Sequence, residues 1–341
     1  MRLASMGVRH PPVDLQLELL RDELVSGWGF RPASVEYVPE GGGSHHWRTF
    51  DEEGPHHFVT IDDLDDKHWL GETRDEVFGG LSRALETAEV LQRNGLRFVV
   101  APIGTRDGAV VRRLNSRYAV SVFPYIEGLA HPFGPYPASL RRVALDMVVE
   151  LHRCTSIVRD RADRHVLNYG DSHDLHALLA EPDRPWYGGP YSEPARRLFA
   201  HHASEINELV SRFDLLIEET AAAREELVIT HGEPHPANII SANGRLMLVD
   251  WDTNALAPPE RDLSLIVVDP GPDSDRYQEG TGHAVDFDVI TLYQLRWYLD
   301  DLASAARLFR RPHEENPDTR RWWEGLAPQI NLLPSWLTRL G

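Results

Sequence analysis

The segment from residue 227 to residue 252 constrains the fold more than any other part of the sequence. A short apolar strand, 227–230, runs into the polar loop 231–238, which reads HGEPHPAN. A second strand starts at residue 239, the dipeptide Asn243-Gly244 follows, and a third strand covers 246–249. Because Asn-Gly is the preferred two-residue loop of a β-hairpin, the segment predicts a tight hairpin that ends at Asp250.

The predicted hairpin brings two oxygen-bearing side chains together. Counting back from the turn places Asn238 opposite Val249 and therefore next to Asp250. An amide oxygen beside a carboxylate suits a hard cation such as Mg²⁺. Glu233 lies on the loop that leads into the hairpin, where it could reach a substrate hydroxyl beside that metal. This ribbon is thus the first candidate for the site of chemistry.

The rest of the chain predicts an α+β fold. Before residue 124 we expect two helices among short strands, and after it mainly helices with one strand pair near 227–250. The predicted early elements are helix 13–26, strands 34–38, 46–50 and 57–61, helix 75–94, and strands 98–101, 109–114 and 119–123. The predicted later helices are 138–153, 173–180, 193–224, 286–309 and 319–337. We therefore expect an N-terminal lobe, 1–123, with antiparallel strands and a mostly helical C-terminal lobe, 124–341.

Composition excludes several classes of function. The net charge of −18 argues against nucleic acid as the main partner, and an acidic cleft would instead attract a small cationic substrate. A single cysteine, Cys154, rules out a disulfide framework and a multi-cysteine zinc site. The sequence shows neither a membrane-spanning apolar run nor a signal peptide, so the cytoplasm is the expected location and a membrane is not an expected partner. Nothing in the sequence predicts the oligomeric state.

The spacing in residues 231–252 resembles the catalytic loop of the aminoglycoside phosphotransferase family, which shares the protein-kinase fold. A histidine, an acid two residues later and an asparagine seven residues later precede a hairpin and an aspartate. The segments 100–108, 122–128 and 257–263 also resemble this family, and the first two are most similar to its spectinomycin phosphotransferase branch. The resemblance covers roughly residues 34–307. It implies a two-lobed, protein-kinase-like fold with the site in the cleft between the lobes.

The resemblance also implies a role for each matching residue. Glu233 takes the position of the catalytic base and His231 braces the loop. Asn238 and Asp250 hold Mg²⁺ on the phosphates of ATP or GTP, the co-substrate, and Asp262 is structural. The remaining implied contacts are with the nucleotide. The phosphates are contacted by Gly41, Gly42, Gly43 and Ser44, and the base by residues 121–125, including Phe123 and Tyr125.

Two positions depart from the family pattern. The family normally has aspartate where this chain has Glu233, which is one methylene longer. The strand 57–61 aligns with the strand that normally carries a phosphate-binding lysine, but Thr60 stands at that position. The chain has a single lysine, Lys67, seven residues further along. Either Lys67 folds back towards the site or an arginine such as Arg48 replaces the missing cation.

The usual partner of the family's lysine is a glutamate. The candidates for that glutamate are Glu76, Glu86 and Glu89.

Several interpretations stay open at this point. The leading one is transfer of the γ-phosphate of a nucleoside triphosphate to a hydroxyl of a small cationic molecule, such as an aminocyclitol or a natural-product intermediate. The alternative is a kinase-like module that binds a nucleotide or metabolite without transfer. A third interpretation is a metal-dependent hydrolase with zinc on His231, Glu233 and His235, although their spacing on a loop is not that of a zinc protease.

Three further aspartates are candidates for substrate contacts. Asp252 is either a second metal or substrate ligand or a solvated turn residue. Asp300 and Asp301, on the helix 286–309, either line the substrate cleft or form the charged face of a surface helix.

Overall fold

The structure, a computed structural model, describes residues 10–12, 14–52 and 54–340. Residue 13, where the first predicted helix starts, lies outside these residues. The strands are β1 Ser34–Val38, β2 His45–Asp51, β3 Gly54–Asp63, β4 Arg112–Arg113, β5 Tyr118–Pro124, β6 Leu129–Ala130, β7 Val228–Thr230, β8 Ile239–Ala242, β9 Arg245–Leu248 and β10 Ala255–Ala257. The helices are α1 Leu17–Glu23, α2 Arg74–Arg93, α3 Ala138–Arg153, α4 Thr155–Val158, α5 Ser172–Ala180, α6 Ser192–His201, α7 Ala203–Glu219, α8 Glu260–Leu263, α9 Pro272–Thr281, α10 Phe287–Arg310, α11 Pro317–Ile330 and α12 Leu333–Leu340.

The described chain divides into two compact units. One, which we call the sheet unit, comprises residues 10–165 and 226–285, and the other, the helical unit, comprises 166–225 and 286–340. These borders differ from the lobe boundary after residue 123 that the sequence suggests, and that boundary stays a prediction. Among the described residues, no helix is long and apolar enough to span a bilayer.

The sheet unit is organised around a five-stranded antiparallel sheet with the order β1-β2-β3-β5-β4. Successive residues of a strand point to opposite faces, so each face has its own core. Val59 and Ile61 of β3 belong to a cluster that includes Leu20 and Leu24 near the N-terminus. On the other face, Ala119 of β5 joins a cluster with α2. The second face is the one that carries Thr60.

Helix α2 has well-defined ends. Thr73 caps its first turn, since the Thr73 hydroxyl accepts from the Glu76 amide and the Glu76 carboxylate accepts from the Thr73 amide. This reciprocal capping box satisfies two amides that the helix itself leaves free. Asn94 ends the helix and Gly95 follows with a φ of 102°. The helix predicted for 75–94 is therefore present with its expected end.

The segment 239–248 folds as the predicted hairpin. Strands β8 and β9 pair in the register Ala242 to Arg245, and the turn residues Asn243 and Gly244 have φ angles of 50° and 74°. These left-handed angles are those of the turn that Asn-Gly favours. At the open end, the Val249 amide donates to the Asn238 carbonyl at 3.0 Å. The predicted pairing of Asn238 with Val249 is confirmed.

The helical unit packs α5, α6, α7, α10, α11 and α12 around one apolar core. Its buried members include Phe199, Phe213, Leu299 and Phe309. The helix predicted for 193–224 is two helices, because the chain leaves helical geometry at His202, where φ is −108° and ψ is 14°. The helix predicted for 319–337 is also divided, between α11 and α12.

Some predicted strands are shorter or differently paired. Residues 98–101 form an isolated bridge from Val99 to Leu248 instead of a strand, because the Leu248 amide and carbonyl are the groups that bond this segment. Only Arg112–Arg113 of the predicted strand 109–114 pairs with β5. The expectation of a single strand pair in the second part of the chain is wrong, since β6 adds a third strand to the hairpin and β7 pairs with β10.

Candidate active site

His231 braces the catalytic loop through both of its ring nitrogens. The side chain is buried, and Nε2 lies 3.0 Å from the Val249 carbonyl, to which it must donate because a carbonyl only accepts. Nδ1 then accepts from the Glu233 amide at 3.2 Å. Burial lowers the pKa of His231, which favours this neutral form. The imidazole therefore fastens the loop to the residue before Asp250.

Asp262 holds the start of the same loop. Its carboxylate is completely buried and accepts from the His231 amide at 2.8 Å, the Gly232 amide at 2.7 Å and His152 Nε2 at 3.1 Å. Burial alone would raise the pKa of Asp262, but the hydrogen bond from His152 and the neighbouring positive groups lower it overall. All of its partners are protein groups, as expected for a structural carboxylate.

Glycine is required at position 232 beside Asp262. Its φ is +96°, and a Cβ at that position would lie 2.4 Å from the Arg261 guanidinium. Arg261 is buried and donates to the Thr230 hydroxyl and the Thr253 carbonyl, both at 2.8 Å. The guanidinium thus joins the loop to the segment after Asp250.

The backbone of Glu233 is fixed from both sides. Its amide donates to His231, and its carbonyl accepts from the Asn238 Nδ2 group at 3.0 Å and from the His235 amide at 2.8 Å. The carboxylate keeps partial solvent access and lies 3.9 Å from His235 Nε2. Glu233 therefore presents a carboxylate from a rigid turn, as a group that accepts a substrate proton must.

Asn238 and Asp250 fit the donor set expected for Mg²⁺. Because the Asn238 amide nitrogen faces the Glu233 carbonyl, its Oδ1 atom is the one left for a cation. Asp250 follows Val249 with a φ of +69°, an angle that a non-glycine residue seldom adopts outside functional turns. Mg²⁺ needs only one or two protein oxygens beside water and substrate phosphates. Two oxygen donors at the end of the hairpin meet that need.

Asp252 and Lys67 form a buried ion pair. Lys67 Nζ contacts Asp252 Oδ2 and also lies 3.0 Å from Asp62 Oδ1, and the lysine is only 1% exposed. Burial would lower the pKa of Lys67, but Asp252 and Asp62 raise it overall, so the ammonium stays charged. The interpretation of Asp252 as a solvated turn residue is wrong, since this residue is 9% exposed and paired.

The pKa of Asp250 is raised well above its usual value. Removal from bulk water contributes first, followed by the negative charges of Asp252 and Glu233, while Lys67 acts in the opposite direction. Since Asp250 keeps a solvent-exposed side, we attribute the shift mainly to the neighbouring carboxylates. Asp62 and Asp252 contact the single ammonium of Lys67, while Asp252, Glu233 and Asp62 all act on Asp250, so this cluster carries an excess of negative charge that a bound cation would offset.

The glycine segment 40–44 lies at the start of β2. Gly41 and Gly43 have φ angles of +85° and +84°, and a Cβ on Gly41 would lie 2.8 Å from His46 Nε2. The Ser44 hydroxyl is buried and donates to Asp62 Oδ1 at 2.7 Å. Phosphate contacts by Gly41, Gly42, Gly43 and Ser44 stay a prediction.

The segment predicted to contact the nucleotide base is the end of β5. Phe123 pairs with Phe58 on the face of the sheet that packs on α2. The Tyr125 amide donates to the His56 carbonyl at 3.1 Å, so this amide extends the sheet. Contacts of Phe123 and Tyr125 with a base stay predictions.

Asp300 and Asp301 lie on α10 in the helical unit. The Gly170 amide donates to Asp300 at 2.7 Å, and Gln329 Nε2 donates to Asp301 at 3.0 Å. Asp301 is buried, so the expectation of a charged surface face is wrong for this residue. A role of either aspartate in substrate binding stays a prediction.

The zinc interpretation of the loop conflicts with the hydrogen bonds. A zinc ligand needs a free ring nitrogen, but both nitrogens of His231 are engaged within the protein. Among the described residues, no group of three or more histidine, cysteine or acidic side chains is arranged to hold a metal. The loop is therefore built around hydrogen bonds and not around zinc.

Comparison with known proteins decides the family. The sequence profile of the phosphotransferase enzyme family (APH) matches residues 73–298, more than half of the chain. The chain belongs to this family. It is also 27% identical over 269 residues to the protein StrN of Streptomyces griseus, which covers 76% of this chain and 79% of StrN.

Solved structures of the family confirm the protein-kinase-like fold. A spectinomycin phosphotransferase in complex with ADP and spectinomycin has a TM-score of 0.71 at 15% identity and covers 94% of this chain and 98% of its own. An amicoumacin kinase in complex with AMP-PNP, Ca²⁺ and Ami has a TM-score of 0.58 at 13% identity and covers 94% of this chain and 93% of its own. The chain is thus a phosphotransferase with an α+β, kinase-like fold. The alternative of a module without transfer has no observation of its own in favour.

The sequence did not identify every residue that shapes the site. Two of the three candidates for the glutamate partner of a lysine are engaged elsewhere, because Glu76 caps α2 and Glu89 pairs with Arg93 at 2.8 Å. The partners of Lys67 are Asp62 and Asp252 instead. The run of aspartates that precedes the chain's single lysine was the signal that could have indicated this pairing.

Proposed function

We propose that this phosphotransferase moves the γ-phosphate of a nucleoside triphosphate to a hydroxyl of a small, polar and cationic molecule. The observation that carries the proposal is the arrangement of Glu233, Asn238 and Asp250. Asn238 binds the Glu233 carbonyl with its amide nitrogen, and its backbone pairs with Val249, the residue before Asp250. One proton-accepting carboxylate and two metal-binding oxygens are thus held by the same short ribbon.

Each residue of the ribbon has a distinct part in the proposal. Asn238 and Asp250 would hold Mg²⁺, which would screen the negative charge of the phosphates. The glycine segment 41–43 with Ser44 covers the phosphates, and Phe123 and Tyr125 contact the base. His231 keeps Glu233 in place because its ring accepts a hydrogen bond from the Glu233 amide. The protein then contributes positioning and charge, which are the main sources of catalysis in phosphoryl transfer.

The reaction balances without a further reactant. The substrate hydroxyl oxygen forms a bond to the γ-phosphorus, and the bond between that phosphorus and the bridging oxygen of the β-phosphate breaks. The nucleoside diphosphate leaves with the electron pair of the broken bond. The hydroxyl proton passes to the Glu233 carboxylate, whose side chain is one methylene longer than the family's aspartate.

The substrate class follows from charge and from the relatives. The acid-rich cluster around Asp250 and the net charge of −18 favour a cationic molecule. The similar structure of a spectinomycin phosphotransferase contains ADP and spectinomycin, and that of an amicoumacin kinase contains AMP-PNP. These likenesses support an adenine nucleotide and an aminocyclitol-like or natural-product acceptor.

The proposal is tested by direct detection of the product. We expect purified enzyme with Mg²⁺ and either ATP or GTP to add one phosphoryl group to a member of a panel of hydroxylated amines, as seen by mass spectrometry. Glu233→Gln removes the proton acceptor and should lower kcat by about 10²–10⁴-fold, whereas Glu233→Asp should retain most of it. Glu18→Gln, at an exposed position of α1, is the matched control and should stay within about twofold of the wild type.

Two results would contradict this function. One is full activity of the Glu233→Gln enzyme, which would remove the carboxylate from the mechanism. The other is a wild-type enzyme that binds neither ATP nor GTP, which would leave no phosphoryl donor for the reaction.

A further inference from the structure

The face of β3 that points towards α2 lacks a cation at the position where the family has its lysine. Thr60 stands there, opposite Ser121 of β5, and its hydroxyl lies 3.3 Å from His46 Nδ1. Among the described residues, the buried Ser121 hydroxyl has no hydrogen-bond partner. A triphosphate brought to this face would therefore meet hydroxyl groups at the strand itself, but no positive charge.

Lys67 brings a cation to the same face from outside the strand. Asp62 follows Thr60 by two residues, so the two side chains share one face of β3 and stand about 7 Å apart along it. Lys67 follows the end of β3, and its side chain turns back so that the ammonium group lies 3.0 Å from Asp62. Lys67 thus supplies the positive charge that Thr60 lacks, on the side of Thr60 that lies towards Asp252.

Arg48, the other candidate for the missing cation, lies on the opposite side of Thr60. It pairs with Phe58, which in turn pairs with Phe123 near the end of β5. Its guanidinium stacks on Phe50 at 5.7 Å. Arg48 is therefore closer to the segment predicted to contact the base, whereas Lys67 is closer to the metal-binding ribbon.

Lys67 is also part of a chain of contacts between the two segments that would enclose the phosphates. Ser44, at the end of the glycine segment, donates to Asp62 Oδ1, and the same oxygen accepts from Lys67. Lys67 then contacts Asp252, two residues after the metal ligand Asp250. The ammonium is thus fixed between the glycine segment and the ribbon before any nucleotide binds.

We propose that Lys67 is the nucleotide-phosphate cation of this enzyme, supplied from the loop after β3 in place of the strand lysine. This inference rests on the proposed kinase function. An ammonium group has three N–H donors, and Asp62 and Asp252 take two of them. The half-exposed Trp69 ring lies 5.2 Å from the ammonium, so a phosphate oxygen reaches the third donor when that ring moves aside. A donor that is already held in place costs little ordering when the ligand arrives.

The experiment compares binding of ADP and adenosine, because only ADP carries the phosphates. With Mg²⁺ present, calorimetry on the wild type should show a preference for ADP over adenosine. Lys67→Met keeps the length of the side chain and removes its charge, so it should reduce that preference at least about tenfold by weakening ADP binding. Its affinity for adenosine should change by less than about threefold.

Arg48→Met is the matched control, since it removes the other cation from the same face. It should keep the preference for ADP. If Lys67→Met retains the preference, or if it weakens ADP and adenosine equally, Lys67 does not contact the phosphates and the inference is wrong. Loss of the preference in Arg48→Met alone would assign the role to Arg48 and would also overturn it.

A second pair of variants covers the case in which Lys67→Met does not fold. Asp62→Asn removes one of the two carboxylates that Lys67→Met would leave without their ammonium partner. The double variant Asp62→Asn/Lys67→Met is then compared with Asp62→Asn, and the same tenfold loss of ADP preference is expected. A wild type that binds no ADP would contradict the proposed function itself, so the two failures are distinguishable.

Discussion

Two aspartates within thirteen residues of each other, Asp250 and Asp262, have opposite surroundings. Asp262 is completely buried and accepts hydrogen bonds from two backbone amides and from His152, and its pKa is lowered. Asp250 keeps a solvent-exposed side and lies among Asp252, Glu233 and Asp62, and its pKa is raised. The protein satisfies the charge of the first aspartate by itself, whereas the charge of the second is compensated only in part, by Lys67.

This difference separates a carboxylate that stabilises the fold from one that we propose binds a cation. A carboxylate with a full set of donors stabilises the fold, and its loss leaves those donors buried without partners. A carboxylate in an acidic cluster costs stability in the free protein and gains when a cation binds. We therefore expect substitution of Asp262 to affect folding and substitution of Asp250 to affect ligand binding.

The largest effect on stability should come from Asp262→Asn. The amide places a donor against groups that are themselves donors, so the His231 and Gly232 amides and His152 lose a charged acceptor. Breaking such a buried set costs about 3–5 kcal/mol of unfolding free energy. Urea denaturation followed by circular dichroism measures it.

Asp250→Asn is the matched control for this measurement, because it makes the same chemical change twelve residues earlier in the chain. It should lie within about 1 kcal/mol of the wild type, or be slightly more stable, since it removes one of several clustered negative charges. Equal destabilisation by the two substitutions would show that the contrast between the aspartates is wrong.

A smaller effect on stability is expected at His283, whose ionic contacts in the sheet unit depend on pH. Its imidazole lies 3.0 Å from both Glu226 and Glu260, and these hydrogen bonds and charges raise its pKa to about 9 against the opposing effect of burial. Because the folded pKa is above that of the unfolded chain, the stabilisation is complete below about pH 6.5 and is lost as the pH rises through 9.

Comparison with His283→Gln isolates this contribution. Between pH 6.5 and pH 10 the wild type should lose about 1–2 kcal/mol more than the variant, after allowance for solvent screening. Urea titrations at several pH values test it. Parallel pH profiles of the two proteins would mean that the imidazole is not held as a cation between the two glutamates.

The catalytic ribbon was predictable because its geometry is local. An Asn-Gly turn fixes the register of a hairpin, and a register fixes which residues are neighbours. From Asn243 and Gly244 the position of Asn238 beside Asp250 followed without any knowledge of the rest of the fold. Helices α3 and α10 were equally predictable, since their apolar periodicity is long and uninterrupted.

The contacts that the sequence could not predict join distant segments. Lys67 meets Asp252 across 185 residues, and a run of aspartates before a lysine is more often a solvated surface segment. His152, which completes the surroundings of Asp262, lies 110 residues before it. The break at His202 between α6 and α7 also has no glycine or proline to mark it. In each case tertiary packing decides what local pattern leaves open.

The most direct test of the account is nucleotide binding by Asp250→Asn, measured by calorimetry with ADP in the presence and absence of Mg²⁺. We predict that the wild type binds ADP more tightly with Mg²⁺ and that the variant loses at least about tenfold of this metal-dependent gain. Because the variant should fold as stably as the wild type, the loss would report the site itself. An undiminished effect of Mg²⁺ in Asp250→Asn would contradict the assignment of the hairpin end as the metal-binding centre of the enzyme.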